Sequence, residues 1–228
     1  MTDLPYDRDS GKTAPQYDAI LFDLLTALLD SWSLWNAVAG NEALGIRWRK
    51  TYLQLTYATG PYRAYEACVE EAALQVGMTR DAAVQLVARW DELQPWPEAP
   101  SVLQTVGKMI PMAIVTNCSE ALAQRATARL GVHFDVMVSA ERARYYKPQP
   151  QPYTLALSEL GVPPERALFV AGSPFDIAGA SAVGMSVFWH NRLELPLPQA
   201  GLPVGIERSL WPLAKLLGGG LTDEAQPT

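Results

Sequence analysis

The chain has 228 residues, of which 49% are hydrophobic, and a formal net charge of −6. This apolar content is enough to build a core, and the acidic balance argues against a basic surface for nucleic acid or anionic membranes. Two cysteines without a CxxC spacing and two scattered histidines argue against a His-based metal site and fit a cytoplasmic location.

The first predicted element is a strand over residues 17–23, which follows a polar leader, residues 1–15, without a signal-peptide pattern. Its apolar run ends on Asp23, so it reads as a buried parallel strand with a carboxylate at its carboxyl end. Ligands bind at that edge of open α/β sheets. Asp23 is therefore a candidate nucleophile; the alternative is an Asp that caps the next helix.

Residues 31–95 have helical spacing without a strand-like run. Apolar residues recur every three or four positions, and a proline-rich junction over residues 95–100 follows. This stretch predicts a helical cap, residues 31–99, inserted after the first strand.

Strands and helices alternate after residue 100. Further strands are predicted at 112–115, 134–138, 167–171 and 186–189, and helices at about 119–130, 154–160, 175–183 and 210–217. Such alternation predicts an α/β fold with a Rossmann-like, doubly wound parallel sheet. The core then comprises residues 16–30 and 100–217, and residues 218–228 form a tail.

Polar side chains follow several of these strands directly. Thr116 and Asn117 end the second strand, a loop carrying Asp176 follows the fourth, and Lys147 precedes a helix on the same side. Each alone has a simpler interpretation, as a turn residue or a solvent-exposed lysine. Because parallel strands end at one edge, these side chains are expected to meet Asp23.

The same segments resemble the motifs of the haloacid dehalogenase superfamily. The resemblance covers residues 17–195 in order: Phe22 to Leu28 is similar to the nucleophile motif, Val115-Thr116-Asn117 to the second, Tyr146-Lys147-Pro148 to the third, and Ala171 to Ala180 to the fourth. A helical cap after strand one is also the superfamily's pattern. Trp48-Arg49 and Tyr153 resemble the 2-haloacid dehalogenase branch.

Leu25 gives a physical reason for that branch. Phosphatases of the superfamily have a second Asp there, which protonates a poor leaving group. A halide leaves without a proton, so an apolar residue suits carbon–halogen displacement. We therefore expect no metal ion and no other cofactor.

The resemblance implies a two-step hydrolysis of short 2-haloalkanoic acids. Asp23 attacks C2 and forms an ester, and water then attacks the ester carbonyl. The resemblance also implies that Lys147 keeps Asp23 ionised and that Asp176 holds Lys147 or orients the water. Thr116 and Asn117 would bind carboxylates, and Arg49 would bind halide or the substrate carboxylate unless it is a helix-surface arginine. The residues implied to line the pocket are Tyr153, Leu25, Trp48, Ser173 and Phe175, with Trp48 alternatively in the cap core.

Three positions depart from the branch pattern. Ala27 stands where the branch has Thr, with Thr26 one residue earlier, and Ala171 and Ser173 replace Ser and Asn in the fourth motif. Two alternatives therefore stay open. One is a phosphatase or a phosphonatase, for which Lys50 is the lysine of the cap; the other is a non-catalytic binding protein.

The expected partners are small molecules, namely a carboxylate substrate and the released halide. We expect neither nucleic acid nor a membrane as a partner. The tryptophans of the cap and junction are most simply core residues, and they also offer a face for a homodimer.

Overall fold

The computed structural model describes residues 16–197 and 201–218. Within these residues, six strands form one parallel sheet in the order β3-β2-β1-β4-β5-β6. The strands are β1 (Ala19–Phe22), β2 (Met112–Thr116), β3 (Val136–Ser139), β4 (Ala167–Ala171), β5 (Ser186–His190) and β6 (Gly205–Glu207). The predicted α/β fold is confirmed. The predicted leader, and the predicted tail except Gly218, lie outside the described residues.

Strand β1 lies inside the sheet, between β2 and β4. All four of its residues are buried, which explains why its sequence is apolar without alternation. Phe22 is aligned with Ile114 of β2 and with Val170 of β4. The carboxyl ends of β1, β2 and β4 therefore lie side by side, and Asp23, which follows β1, lies between the ends of β2 and β4.

Helices cover the sheet and form the cap. In the described residues they are α1 (Ser31–Ala39), α2 (Glu42–Thr59), α3 (Tyr65–Gln75), α4 (Arg80–Ala88), α5 (Ala99–Val106), α6 (Glu120–Ala128), α7 (Ala140–Ala143), α8 (Pro150–Leu160), α9 (Pro174–Ala182) and α10 (Pro212–Leu216). Helices α1 to α4 follow β1 and pack on one another as the inserted cap. The residues at which cap and core meet stay a prediction.

The first two cap helices begin and end on clear sequence signals. The Asp30 carboxylate accepts from the Ser33 amide and caps α1, and the Asn41 side chain caps α2 in the same way. Gly40, at φ 75°, ends α1 and reverses the chain. Helix α2 is 18 residues long, and its last turns reach the carboxyl edge of the sheet, where Tyr57 contacts Asp176.

Several predicted boundaries differ from the structure. The third strand begins at Val136 rather than residue 134, because Phe134 packs edge-on against Phe22 outside the ladder. Helix α8 begins at Pro150 rather than residue 154, since proline fits the first helical turn. Strand β6 and helix α7 were not predicted, and each has only three or four residues.

None of the helices in the described part of the chain is long and apolar enough to cross a membrane.

Candidate active site

The Asp23 side chain lies at the end of β1 and is 5% exposed. Its Oδ2 accepts hydrogen bonds from the Thr26 amide (3.0 Å), the Thr26 hydroxyl (2.5 Å) and the Ala27 amide (3.2 Å). Its Oδ1 faces Lys147 Nζ at 2.8 Å. The carboxylate therefore accepts loop hydrogen bonds through one oxygen and makes an ion pair through the other. The helix that follows, α1, is capped by Asp30 and not by Asp23, and the role of Asp23 as a nucleophile stays a prediction.

Lys147 joins two carboxylates in the interior. Its Nζ lies 2.8 Å from Asp23 Oδ1 and 2.9 Å from Asp176 Oδ1, and both Lys147 and Asp176 are completely buried. One ammonium between two carboxylates leaves this group, the buried triad, with a net charge of −1 when both acids are ionised.

The triad splits the pKa values of its two acids. Burial acts to raise the pKa of Asp23, but the Lys147 charge and the hydrogen bonds from Lys147 and Thr26 outweigh it and hold the pKa below its ordinary value. Burial raises the pKa of Asp176 to about 6, with Lys147 opposing and Asp23 reinforcing the shift. Burial acts to lower the pKa of Lys147, but its two carboxylate partners raise it. Asp23 is thus held as an anion.

Asn117 fixes the loop that carries Lys147. Its side-chain oxygen accepts from the Lys147 amide at 2.7 Å, and its side-chain nitrogen donates to the Lys147 carbonyl at 3.1 Å. Thr116 is fully buried beside it, and its hydroxyl has no hydrogen-bond partner among the described residues. Asn117 thus sets where the lysine stands.

Arg49 projects from α2 and is 1% exposed. Its guanidinium lies 5.1–5.5 Å from the ring centres of Trp32, Trp35 and Tyr52, within reach of cation–π attraction. Its Nε and Nη1 have no hydrogen-bond partner in the described part of the chain. Burial raises the pKa of the Cys118 thiol, just after β2, to about 12, and the Arg49 charge is one of the contributions that oppose this rise. A buried cation with unused N–H groups is suited to an incoming anion.

Two tyrosines also approach the triad. The Tyr57 hydroxyl, from α2, donates to Asp176 Oδ1 at 2.6 Å. Tyr153 is fully buried, and its hydroxyl has no partner among the described residues. Burial first, and then the nearby Asp176 and Asp23 charges, raise the pKa of Tyr153 well above its ordinary value, so its phenol stays protonated.

A cavity of about 200 Å³ lies between cap and core. Thr26 and the loop Gly172 to Phe175 line its core side, next to the Asp23 loop. Trp32, Lys50, Leu53 and Gln54 line its cap side, and Leu195-Pro196 lines a third side. The cavity is mostly apolar and reaches the segments that hold the nucleophile candidate and Asp176.

The predicted pocket residues fall into two groups. Ser173 and Phe175 line the cavity, and the Ser173 hydroxyl caps α9 by accepting from the Phe175 amide. Trp48 does not line it: its ring lies 4.5 Å from that of Trp35 and its indole N–H donates to the Val69 carbonyl. Trp48 thus belongs to the cap core. Leu25, two residues after Asp23, is 4% exposed and Tyr153 is fully buried, and neither is among the cavity-lining residues.

Comparison with known proteins gives the family. The model of the haloacid dehalogenase-like hydrolases matches residues 17–184, which is most of the chain. The chain belongs to this family. It is a haloacid dehalogenase-like hydrolase.

Relatives of this hydrolase fall into more than one group. (S)-2-haloacid dehalogenase H-109 of Pseudomonas putida is 30% identical over 192 residues, which are 77% of this chain and 86% of that protein. The putative pyrophosphatase PpaX of Caldanaerobacter subterraneus is 35% identical over 120 residues, half of this chain and 54% of that protein.

Solved structures show the same fold. The L-2-haloacid dehalogenase of Xanthobacter autotrophicus, solved with chloropropionic acid covalently bound, superposes with a TM-score of 0.81. It is 23% identical, and the match covers 90% of this chain and all of that one. The fold and the inserted cap of this hydrolase are therefore those of haloacid dehalogenases.

Two residues of the hydrolase's site were not assigned from sequence. Thr26 supplies the hydroxyl that Ala27 lacks, because the loop turns so that position 26 faces Asp23 Oδ2. Tyr57 reaches Asp176 only through the docking of the cap. The sequence did show a threonine at position 26, one residue before the motif position. No local sequence pattern indicated the contact between Tyr57 and Asp176.

Two buried side chains bind backbone carbonyls of the loop that follows β1 and Asp23, here called the nucleophile loop. The Trp96 indole donates to the Thr26 carbonyl at 3.1 Å, and His190 Nδ1 lies 2.8 Å from the Ala27 carbonyl. The amides of the same two residues, Thr26 and Ala27, point at Asp23. The Thr26 carbonyl belongs to the same peptide group as the Ala27 amide, so Trp96 orients that amide, while His190 holds the next peptide group of the loop.

Gly172 allows the nucleophile loop and the fourth-motif loop to touch. A Cβ at this position would lie closer than 3.0 Å to backbone atoms of Thr26 and Ala27, which cannot yield as a flexible side chain can. We expect Gly172→Ala to lower the free energy of unfolding by about 1–3 kcal/mol through overpacking, and to weaken catalysis by displacing Thr26. Thermal unfolding and activity measure both.

Gly107→Ala is the matched control. Its Cβ would meet mainly the flexible end of the Met112 side chain, far from the site, and its φ of −66° suits alanine. A Gly172→Ala protein as stable and active as Gly107→Ala would show that the two loops are not packed as described.

Proposed function

We propose that this hydrolase cleaves the carbon–halogen bond of short 2-haloalkanoic acids through an ester on Asp23. One observation carries the proposal. Arg49, a buried guanidinium with unused N–H groups, lies 5.5 Å from the ring centre of Trp32, and Trp32 lines the same cavity as Thr26, which binds the buried Asp23 carboxylate. The position of a phosphatase's general acid is occupied by the apolar Leu25, which agrees with this reading. Halide departure needs an electrophilic pocket rather than a proton donor.

The first step forms the ester. Asp23 Oδ1, paired with Lys147, attacks C2 of the substrate, and the carbon–halogen bond breaks with its electron pair leaving on the halide. Lys147 favours this step by keeping Asp23 ionised. Arg49 receives the halide or the substrate carboxylate, and Asn117 keeps Lys147 in place.

The second step releases the product. Water adds to the Asp23 carbonyl carbon, and the bond from that carbon to the ester oxygen breaks, so a 2-hydroxyacid leaves. The three donors on Oδ2 from Thr26 and Ala27 form an oxyanion site for the charge that develops there. Asp176, whose pKa is about 6, receives the water proton.

The relatives support this proposal. The Pseudomonas putida relative is a named (S)-2-haloacid dehalogenase, and the Xanthobacter autotrophicus structure holds chloropropionic acid covalently. We infer the same class of substrate for this chain. Its partners would be a small carboxylate and the released halide, and it would work in the cytoplasm without a cofactor. The homodimer stays a prediction, which light scattering tests.

Release of chloride from each enantiomer of 2-chloropropionate tests the proposal. We expect turnover of at least one enantiomer, unchanged by EDTA, and formation of lactate in a 1:1 ratio to chloride. The chain alone, heated until unfolded, is the blank. An absence of halide release from haloacetates and 2-halopropionates, with a folded protein, contradicts the proposal.

A second candidate function is phosphonate or phosphate ester hydrolysis. Lys50, the cap lysine that a Schiff-base phosphonatase requires, lines the cavity, and the putative pyrophosphatase matches half of the chain. Within the described residues, however, no group of three or more His, Cys, Asp and Glu side chains is placed to hold a metal ion. Mg²⁺-dependent release of phosphate, or borohydride trapping of substrate on Lys50, would favour this candidate.

A binding protein without catalysis is the third candidate. It predicts neither halide nor phosphate release and no mass change on Asp23 after exposure to substrate. The same two assays therefore separate all three candidates.

A further inference from the structure

Tyr57 makes a polar contact between the cap and the triad. Its hydroxyl lies 2.6 Å from Asp176 Oδ1, although the two residues are 119 positions apart in sequence. Its ring stacks on Phe175, the residue before Asp176, with ring centres 5.0 Å apart and planes 28° from parallel. Two independent contacts therefore fix the phenol over Asp176.

The two oxygens of Asp176 have different surroundings. Oδ1 accepts from both Lys147 and Tyr57. Oδ2 is buried and has no hydrogen-bond partner among the described residues. A buried, unpaired carboxylate oxygen is costly unless something binds to it. Because Oδ1 already has two donors, an incoming water finds its acceptor at Oδ2.

The side chains of the fourth-motif loop do not hold Asp176 in place. Ala171 has no polar side chain, and the Ser173 hydroxyl is engaged with the Phe175 amide at the start of α9. The donor that fixes Asp176 besides Lys147 therefore comes from the cap and not from the loop.

We propose that Tyr57 is a positioning residue: its hydroxyl holds Asp176 Oδ1, so that Oδ2 accepts the proton of the water that hydrolyses the Asp23 ester. This inference rests on the proposed function. In this step the water oxygen bonds to the Asp23 carbonyl carbon and one water proton passes to Asp176. The carbon–ester oxygen bond breaks, the departing alkoxide takes the second water proton and leaves as a hydroxyl group, Asp23 is again a carboxylate, and Asp176 releases its proton to solvent.

Tyr57 acts among several charged groups. Lys147 faces Asp176 from the loop before α8, Asp23 from β1, Tyr153 from α8 and Tyr57 from α2. Burial and then the Asp176 charge raise the pKa of Tyr57 well above its ordinary value, so the phenol stays a donor. Its hydrogen bond favours the ionised form of Asp176 and so opposes the rise of that pKa to about 6.

Tyr57→Phe tests the inference because it removes only the hydroxyl and keeps the stack on Phe175. Water attack should slow while ester formation does not. During turnover of 2-chloropropionate, intact-protein mass spectrometry should show a larger fraction of chain carrying the propionate ester than in the native enzyme. The acid limb of kcat, near pH 6, should move up by about one unit.

Tyr62→Phe is the matched control, since it removes a phenol of the cap whose ring contacts Tyr146 rather than Phe175. It should leave both readouts at native values. A Tyr57→Phe enzyme with a native ester fraction and a native acid limb would overturn the inference, and so would equal changes in Tyr62→Phe.

A measurement without turnover keeps the two proposals distinguishable. Carbon-13 NMR of aspartate-labelled protein, with the Asp176 signal assigned through Asp176→Asn, reports its pKa directly. We expect titration near pH 6 in the native chain and at higher pH in Tyr57→Phe. No halide release from the native chain would contradict the proposed function, whereas an unchanged Asp176 titration would contradict the role of Tyr57.

Discussion

Replacing Asp23 by Asn is expected to reduce halide release by on the order of 10⁴-fold or more, the scale seen when a covalent nucleophile is removed. A neutral amide does not displace halide from C2, and Asp176, the other carboxylate of the buried triad, is held by Lys147 and Tyr57 in a different position.

The same change should leave the protein folded. Without the Asp23 charge, the buried triad becomes a neutral pair of Lys147 and Asp176 at 2.9 Å. The Asp23 charge also raises the pKa of Asp176, so that pKa should fall in the variant. Asp18→Asn is the control: Asp18 pairs with Arg166 at the surface, where solvent screening leaves an ion pair with little effect on stability.

Isotope labelling separates the ester route from direct attack by water. In a single turnover in ¹⁸O-water, label should enter the Asp23 side chain, and the product hydroxyl should contain ordinary oxygen. Label found in the product and not in the Asp23 peptide would contradict the ester mechanism, as would halide release by Asp23→Asn at the native rate.

Replacing Lys147 by Met should remove both activity and stability. Asp23 and Asp176 would then be two buried carboxylates without a cation, and breaking a buried ion pair costs about 3–5 kcal/mol. One acid would take up a proton because like charges at short range disfavour ionisation. Halide release should fall at least as much as in Asp23→Asn.

The pH dependence of stability gives a sharper readout. In Lys147→Met the folded-state pKa of a carboxyl is raised above its unfolded value, so the folded state binds more protons. Stability should therefore be greatest at acid pH and decrease as pH rises through the raised pKa. Thermal unfolding between pH 5 and pH 8 measures this slope.

Two further variants complete the test of Lys147. The double variant with Asp176→Asn should recover part of the lost stability without recovering activity, because only one buried carboxylate remains. Lys108→Met, at an exposed lysine, should match the native protein. A Lys147→Met protein as stable as Lys108→Met would contradict the burial of the triad.

The carboxyl ends of β1 to β5 could be predicted from sequence because each of these strands is a short apolar run followed by polar or small residues; β6, only three residues long, gave no such signal. In a parallel sheet such residues meet without further information, and Asp23, Lys147 and Asp176 do meet. The direction in which the side chains of the cap helices point is harder to predict. Neighbours on a helix point about 100° apart, so Arg49 lies in the cage of Trp32, Trp35 and Tyr52 while Trp48 turns into the cap core.

Contacts between cap and core had no sequence signal. Whether Tyr57 reaches Asp176 depends on how the cap docks, which no local pattern encodes. The role of Thr26 was also missed. The loop after β1 is a turn rather than a helix, and in this turn the Thr26 hydroxyl, one position before the motif position occupied by Ala27, reaches Asp23 Oδ2. The roles assigned to these residues stay predictions until the variants are measured.

The backbone contact at Gly172 restricts how substrate can enter. Since a single methyl group does not fit between Gly172 and the segment Thr26-Ala27, these two walls have no slack and form one rigid base. Any opening that admits a haloacid must then come from the other walls of the cavity, which carry Trp32, Leu53 and Leu195. We therefore expect the rate of substrate entry and exit to depend on motion of these other walls while the base stays in place.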